Sequence, residues 1–276
     1  MDVKTRRQLI EQRARAEREV SYTALATEFD VSEMTIRRDI EALEARGVVR
    51  RVVGGAIAVL GKDTEPSFAI RVTDAVLEKD HIADTVADLI GPKETLILDA
   101  GSTSLAVARS LRGRSLGLTV VTPSLPIALA LVDEPQTNVV VTGGELRSGE
   151  LSLVGSSAEE ILTRYNCDTY VMGVAGIDAE RGFSDYLQAE ARVKRAALSR
   201  ADRVIVAADR SKLGRVTFVS IAALSRVHTI VTDGAADHPA LVAARSSGVE
   251  VLSIAGSKGN AQKHVSPGEQ RAQSGP

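Results

Sequence analysis

The sequence predicts an α/β chain in two parts, a small N-terminal head of three helices closed by a basic hairpin and a larger body built on a largely parallel sheet. Three observations carry that reading. Apolar residues recur at helical spacing up to about residue 46 and then alternate over residues 48–53. Short, strand-sized apolar runs follow at 95–98, 118–121, 138–141, 169–174, 203–207, 229–232 and 250–254, with helical segments between several of them. The 276 residues, 44% of them hydrophobic, suffice for one sizeable core and a small second one.

From Lys4 to Ala16, charged residues alternate with Leu9, Ile10 and Ala14, which gives a first helix with one apolar face. Ser21 is placed to cap a short second helix, Tyr22 to Phe29, which stops at Asp30, a residue type that tolerates the left-handed turn. Ser32 is the next cap, with Glu33 at the positive end of a third helix. That helix runs to about Arg46, stacks Ile36, Ile40 and Leu43 on one stripe, and is stopped by Gly47. Residues 48–55 then alternate as a hairpin with a glycine end.

On charge alone, residues 1–56 are barely basic, with 11 Lys+Arg against 10 Asp+Glu, and a solvated helix face would explain them. The order of elements points elsewhere. A short helix, a tight turn, a capped helix and a basic wing form a winged helix-turn-helix, whose third helix enters the major groove of double-stranded DNA. Tyr22, Ser32, Thr35, Arg37 and Arg38 are the candidate contacts of the helices, and Arg50 and Arg51 those of the wing. The run ALATEFDVSEMTIRRDIEALEARGVVRRVVGGA resembles the N-terminal signature of the DeoR family of bacterial sugar-metabolism regulators.

Residues 57–74 read as a polar linker into a helix from about Ala75 to Ile90, and 75–256 as the α/β body. Residues 257–276 lack the apolar content to pack and are expected to be disordered. In parallel sheets, ligands sit beyond the carboxyl ends of strands, so the residues after each strand are the place to look for chemistry. Asp99-Ala100-Gly101-Ser102-Thr103-Ser104 leads into a helix and offers hydroxyls, backbone N–H groups and a favourable dipole to an anion, although Ser and Thr also serve as ordinary caps. Thr122-Pro123-Ser124, Thr142-Gly143-Gly144 with Arg147, and Asp209 to Lys212 are polar strand ends that can converge with it.

The resemblance continues through EPSF, Arg71, EKDHIA, DAGSTS, GGELRSGELSLVG, GVAGID, AEARVKRA and ADRSKLG. It implies an isomerase-like sensor domain, resembling ribose-5-phosphate isomerase, for phosphorylated sugars or related intermediates. Under it, Gly101, Ser102, Thr103 and Ser104 match a phosphate loop, while Gly143, Gly144, Arg147, Glu190, Lys194 and Lys212 match further pocket positions. Asp99 and Thr122 join them as strand-end residues. Thr122-Pro123 stands where the family commonly has Thr-Asn, and proline supplies neither an amide side chain nor an N–H, so an altered pocket is expected. Glu190 and Lys194, four apart, also fit an exposed helix ion pair.

An enzyme is the competing class, because isomerases share this sheet. Proton transfer between carbons needs a positioned carboxylate base. Here Gly173 to Asp178 retains only Asp178 of the isomerases' acidic cluster, so a sensor with no catalytic residues is expected, and Asp178 is kept as a pocket candidate. No GxxxxGK[ST] or GxGxxG occurs, which argues against nucleotide hydrolysis and dinucleotide binding, and no cofactor is expected. A single cysteine, Cys167, excludes an internal disulfide and reads as a core residue. His81, His228, His238 and His264 lack metal-ligand spacing, so no metal is expected. The charged N-terminus is unlike a secretion signal and no apolar run approaches the roughly 20 residues of a membrane helix, so a cytoplasmic protein is expected. The resemblance implies repression relieved by effector, and the scheme expected is a homo-oligomer, dimer or tetramer, holding two heads on paired half-sites.

Overall fold

The computed structural model describes residues 2–45, 48–58 and 65–255. The stop expected at Gly47 and the tail expected at 257–276 lie outside them. In the head, α1 (Val3–Glu17), β1 (Glu19–Ser21), α2 (Tyr22–Phe29), α3 (Glu33–Ala45), β2 (Val49–Val52) and β3 (Gly55–Ala58) follow one another. Asp2 caps α1 by accepting from the Thr5 N–H at 3.0 Å, and Ser32 caps α3 by accepting from the Thr35 N–H at 3.2 Å. Asp30 takes the left-handed conformation at φ 51°, which lets α3 turn away from α2. Ser21 begins α2 without a side-chain cap bond.

The wing is larger than the alternation predicts. Its hairpin, β2 with β3, reaches Ala58, and β1 adds a third strand in the order β1-β3-β2. Glycine is required where these strands meet: a Cβ on Gly55 would lie 1.9 Å from the Val20 carbonyl oxygen. Ile10, Ala14, Leu25, Ile36, Ile40, Leu43 and Val49 close the head's core. Buried Asp39 of α3 accepts from Arg6 and Arg7 of α1, both at 2.7 Å, and so fastens the third helix to the first.

The body begins with α4 (Phe68–Thr73), within the stretch read as linker, and α5 (Val76–Asp88). There follow β4 (Thr95–Leu98), α6 (Ser102–Leu111), β5 (Thr119–Thr122), α7 (Leu125–Leu131), β6 (Asn138–Val141), β7 (Glu145–Leu146), β8 (Leu153–Val154) and α8 (Ser156–Leu162). After them come β9 (Cys167–Met172), β10 (Gly176–Asp178), β11 (Gly182–Asp185), α9 (Gln188–Leu198), β12 (Ala201–Ala207), β13 (Val219–Ala222), β14 (Thr229–Thr232), α10 (Pro239–Ser246) and β15 (Glu250–Ser253). Seven strands form one parallel sheet in the order β15-β14-β12-β9-β4-β5-β6. Period-two alternation covers both its faces: Leu96, Leu98, Val171 and Ile205 join one core with α5 and α6, while Ile97, Tyr170, Met172 and Val206 join another with α8, α9 and α10.

The chain adds β5 and β6 on one side of β4, then returns to build β9, β12, β14 and β15 on the other. The junction of β4 and β9 is therefore the topological switch point, where diverging connections leave a crevice at the strand ends. Around the sheet, β10, β11 and β13 form a small antiparallel sheet and β7 pairs with β8. Cys167 is buried, and burial pushes its thiol up to about 11.

Candidate functional site

The free face of α3 is shaped by what its neighbours remove from it. Arg37 lies over the Tyr22 ring at 4.2 Å and within 3.9 Å of Glu33. Tyr22 itself is 3% exposed in the head core, so it supports Arg37 and does not face outward as the sequence reading had it. Arg51 of the wing stays exposed but is paired with Glu44 and Glu41 of α3 at 2.5 and 2.8 Å. Arg38 and Arg50 are exposed and have no ion-pair partner among the described residues. Ser32 is exposed and hydroxyl-bonded to half-buried Thr35 at 3.0 Å.

In the body, a cleft opens at the switch point, lined from β4 by Gly101 to Ser104, from β9 by Gly173 to Ala175, and from β12 by Asp209 and Lys212. No side chain caps α6 at Gly101, so the N–H groups of its first turn open towards the cleft. The Ser104 hydroxyl is buried there without a hydrogen-bond partner, as is the Tyr186 hydroxyl across the cleft. Arg71 of α4 stands beside the same loop: a Cβ on Gly101 would lie 3.8 Å from its Nη1. Lys79 of α5 and Lys212 complete a cationic wall. Burial pulls both lysines below their ordinary value, a bias that a bound anion would reverse.

Carboxylates fill the opposite wall. Arg71 is paired with Glu150 and, at 3.1 Å, with Glu65. Arg147 donates to Glu65 at 3.1 Å and to Glu190 at 2.6 Å, reaching the cleft through them. Glu190 also accepts from Ser152 at 2.6 Å; burial would raise its carboxyl, but Lys194, Ser152 and Arg147 together hold it below the usual range. Lys194 donates to Asp99 and to the Gly173 carbonyl at 3.1 Å, with Asp185 at 3.4 Å. Burial opposes its charge, yet Asp99, Asp185 and Glu190 outweigh burial and keep it protonated. Glu190 and Lys194 are thus buried structural members of the cleft and not an exposed helix pair. Asp99 sits beneath Lys194 as its counter-ion, 1% exposed.

Four sequence candidates lie away from this cleft. Thr122 is spent on the Leu98 carbonyl at 2.7 Å, and Pro123 accepts from the Leu153 N–H. Gly143 and Gly144 make the turn into β7, where Gly144 passes closely under Val154. Asp178 accepts from the Glu180 and Arg181 N–H groups and caps its own loop. Thr122, Gly143 and Gly144 follow β5 and β6, which lie one and two strands beyond β4, past the crevice, and Asp178 ends β10 in the separate antiparallel sheet. Conversely, Glu65, Lys79, Glu150, Ser152, Asp185 and Tyr186 went unread, because none follows a strand of the parallel sheet.

A winged helix-turn-helix with an open helix face, joined to a parallel sheet whose switch-point cleft gathers cations, carboxylates and an uncapped helix N-terminus, defines a DNA-binding transcriptional regulator that senses a small ligand. The DeoR-like helix-turn-helix domain matches residues 6–60, and the DeoR C terminal sensor domain matches residues 74–234. The chain is 35% identical over 234 residues to the HTH-type transcriptional regulator GlpR of Haloferax volcanii, covering 84% of this chain and 90% of that one. It is 32% identical over 214 residues to the glycerol-3-phosphate regulon repressor of Escherichia coli (strain K12), covering 78% and 84%. The chain belongs to the DeoR family of transcriptional regulators, and these relatives are regulators and not enzymes. Ribose 5-phosphate isomerase A of Methanocaldococcus jannaschii is similar at 16% identity over 49% of this chain and 53% of that one, with a TM-score of 0.36 too low to support an argument about chemistry. No helix among the described residues is long and apolar enough to cross a membrane.

Proposed function

We propose that the chain is an operon repressor whose hold on double-stranded operator DNA is set by a small phosphorylated polyol or sugar seated in the switch-point cleft. The observation that carries this is the buried, unpartnered Ser104 hydroxyl at the uncapped N-terminus of α6, beside Lys212 and Arg71. Buried hydroxyls without partners cost folding free energy, of order 1–3 kcal/mol each, and a ligand oxygen placed there would recover it. A phosphate suits the cationic wall, and hydroxyl groups suit Glu65 and Asp185 opposite. The glycerol-3-phosphate regulon named for one relative is of this chemical class.

The route from cleft to head runs through α4. Its N-terminus is held where the Phe68 N–H donates to Glu150 at 3.1 Å, and its end where Lys79 donates to the carbonyls of Arg71 and of Asp74, just past the helix, at 2.5 and 2.6 Å. Its far side meets the head: Thr73 and Asp74 share a groove with Leu9, Arg13, Ala16 and Phe29. A phosphate that draws Arg71 from its carboxylates therefore shifts the helix on which the head rests. Such a ligand switches the protein only if it binds the DNA-competent and incompetent arrangements unequally. In this scheme the protein acts in the cytoplasm as a dimer or tetramer with heads on paired half-sites.

Calorimetry with glycerol 3-phosphate, a set of aldose and ketose phosphates and inorganic phosphate tests the reading. One or more of the organic phosphates is expected to bind and to weaken retention of upstream DNA. Ser104→Ala should reduce that affinity by about ten-fold or more, the loss of a hydrogen bond to a charged group, while leaving effector-free DNA binding unchanged. If no phosphorylated compound binds, or Ser104→Ala leaves affinity intact, the assignment is overturned.

A further inference from the structure

The exposed ridge of α3 carries an apolar side chain that the fold does not use. Residues step about 100° around a helix axis, so Met34 and Arg38 lie roughly opposite the buried stripe of Ile36, Ile40 and Leu43. They are four apart, one above the other on the same ridge. Met34 is 60% exposed, on a helix whose other large apolar residues are buried. Arg38 beside it has no ion-pair partner among the described residues, whereas Arg37 is stacked on Tyr22 and Glu41 is engaged by Arg51. The centre of the presented surface is thus one unpaired guanidinium and one thioether chain, close to the start of the helix.

We propose that Met34 is a base-reading side chain, closing on the 5-methyl group of a thymine within two base pairs of a guanine held by Arg38. The inference rests on the head's binding of duplex DNA. Arginine pairs with guanine O6 and N7 through two hydrogen bonds, and the thymine methyl is the apolar feature that the major groove displays. Four residues of helix advance about 6 Å, which is roughly two base steps of 3.4 Å, so both side chains can reach base edges at once. Methionine is unbranched and polarisable, and it moulds itself to a methyl group without a fixed shape of its own. A helix face built for phosphates alone would gain nothing from an exposed thioether.

The full-length protein is used to select duplexes from a randomised pool, and each thymine of the selected half-site is then replaced singly by uracil, which lacks the methyl. Fluorescence anisotropy should show one uracil position, within two base pairs of a guanine, that weakens wild-type binding about four-fold, the effect of one methyl group leaving an apolar contact. In Met34→Ala that penalty should vanish while penalties at other thymines persist, and Met34→Leu should restore most of it. Unchanged circular dichroism melting of Met34→Ala guards against misfolding. A selected half-site without such a thymine, or a uracil penalty that survives in Met34→Ala, overturns the inference. Failure of the wild type to retain any duplex would instead overturn DNA binding by the head.

Discussion

Lys212 shows how much a single cleft residue can report. It is half-buried beside Asp209 at 4.0 Å, and burial pulls it below its ordinary 10.5 despite that carboxylate. A phosphate bound against it favours the protonated amine, so its pKa rises in the complex. Between the free and bound values the complex holds more protons, and effector affinity must fall as pH rises through the free value. Above about pH 8 a phosphate monoester is fully ionised and adds no proton of its own to the balance. Calorimetry there, in two buffers of different ionisation enthalpy, should reveal net proton uptake on binding of a phosphorylated effector, reduced in Lys212→Gln. Proton release would place the anion elsewhere. At this scale the sequence exposed Gly101 to Ser104, Glu190, Lys194 and Lys212, because those follow a central strand or belong to matched motifs. It misplaced Tyr22, whose ring packs in the head core against Arg37, and it did not reveal that exposed Arg51 is paired with Glu41 and Glu44.

Among the elements, the six-residue α4 touches both the cleft and the head. Glu150 both caps it and competes for Arg71 with any incoming anion. Glu150→Gln keeps a carbonyl oxygen for the Phe68 N–H but removes the rival charge. Effector affinity should then rise about five-fold, corresponding to roughly 1 kcal/mol for a partly exposed ion pair, as measured by titration calorimetry. Lower affinity would mean that Glu150 helps to hold the ligand instead. The sequence did not reveal this helix because a single turn and a half following Pro66 is too short for a 3.6-residue period to register. Strands β1, β10 and β11, of three or four residues, escaped for the same reason. The central parallel strands were legible because burial on both faces makes them continuous apolar runs, and the boundaries of the seven strands moved by at most two residues.

For the whole molecule, the distribution of charge matters more than its total of −2. The head is close to neutral, and several of its arginines are committed to carboxylates: Arg6 and Arg7 to Asp39, Arg51 to Glu41 and Glu44. Few cations remain to displace counter-ions from DNA, so sequence reading must supply much of the affinity. Arg50→Ala, at the wing, should flatten the dependence of log affinity on log salt by about one per head and weaken all sequences alike. A change in sequence preference would assign Arg50 to bases instead. The two-part organisation was legible as a shift from one periodicity to another. The bearing of α4 on α1 was not, since contact between units leaves no local pattern in either.

The buried Cys167 has a practical consequence for following these motions. It is the chain's sole thiol, sealed in the body's core and reluctant to ionise, and the chain has no tryptophan. Val53, at the tip of the wing, is fully open to solvent. A Val53→Cys protein therefore takes a maleimide dye at the wing alone, against a dark and chemically silent background.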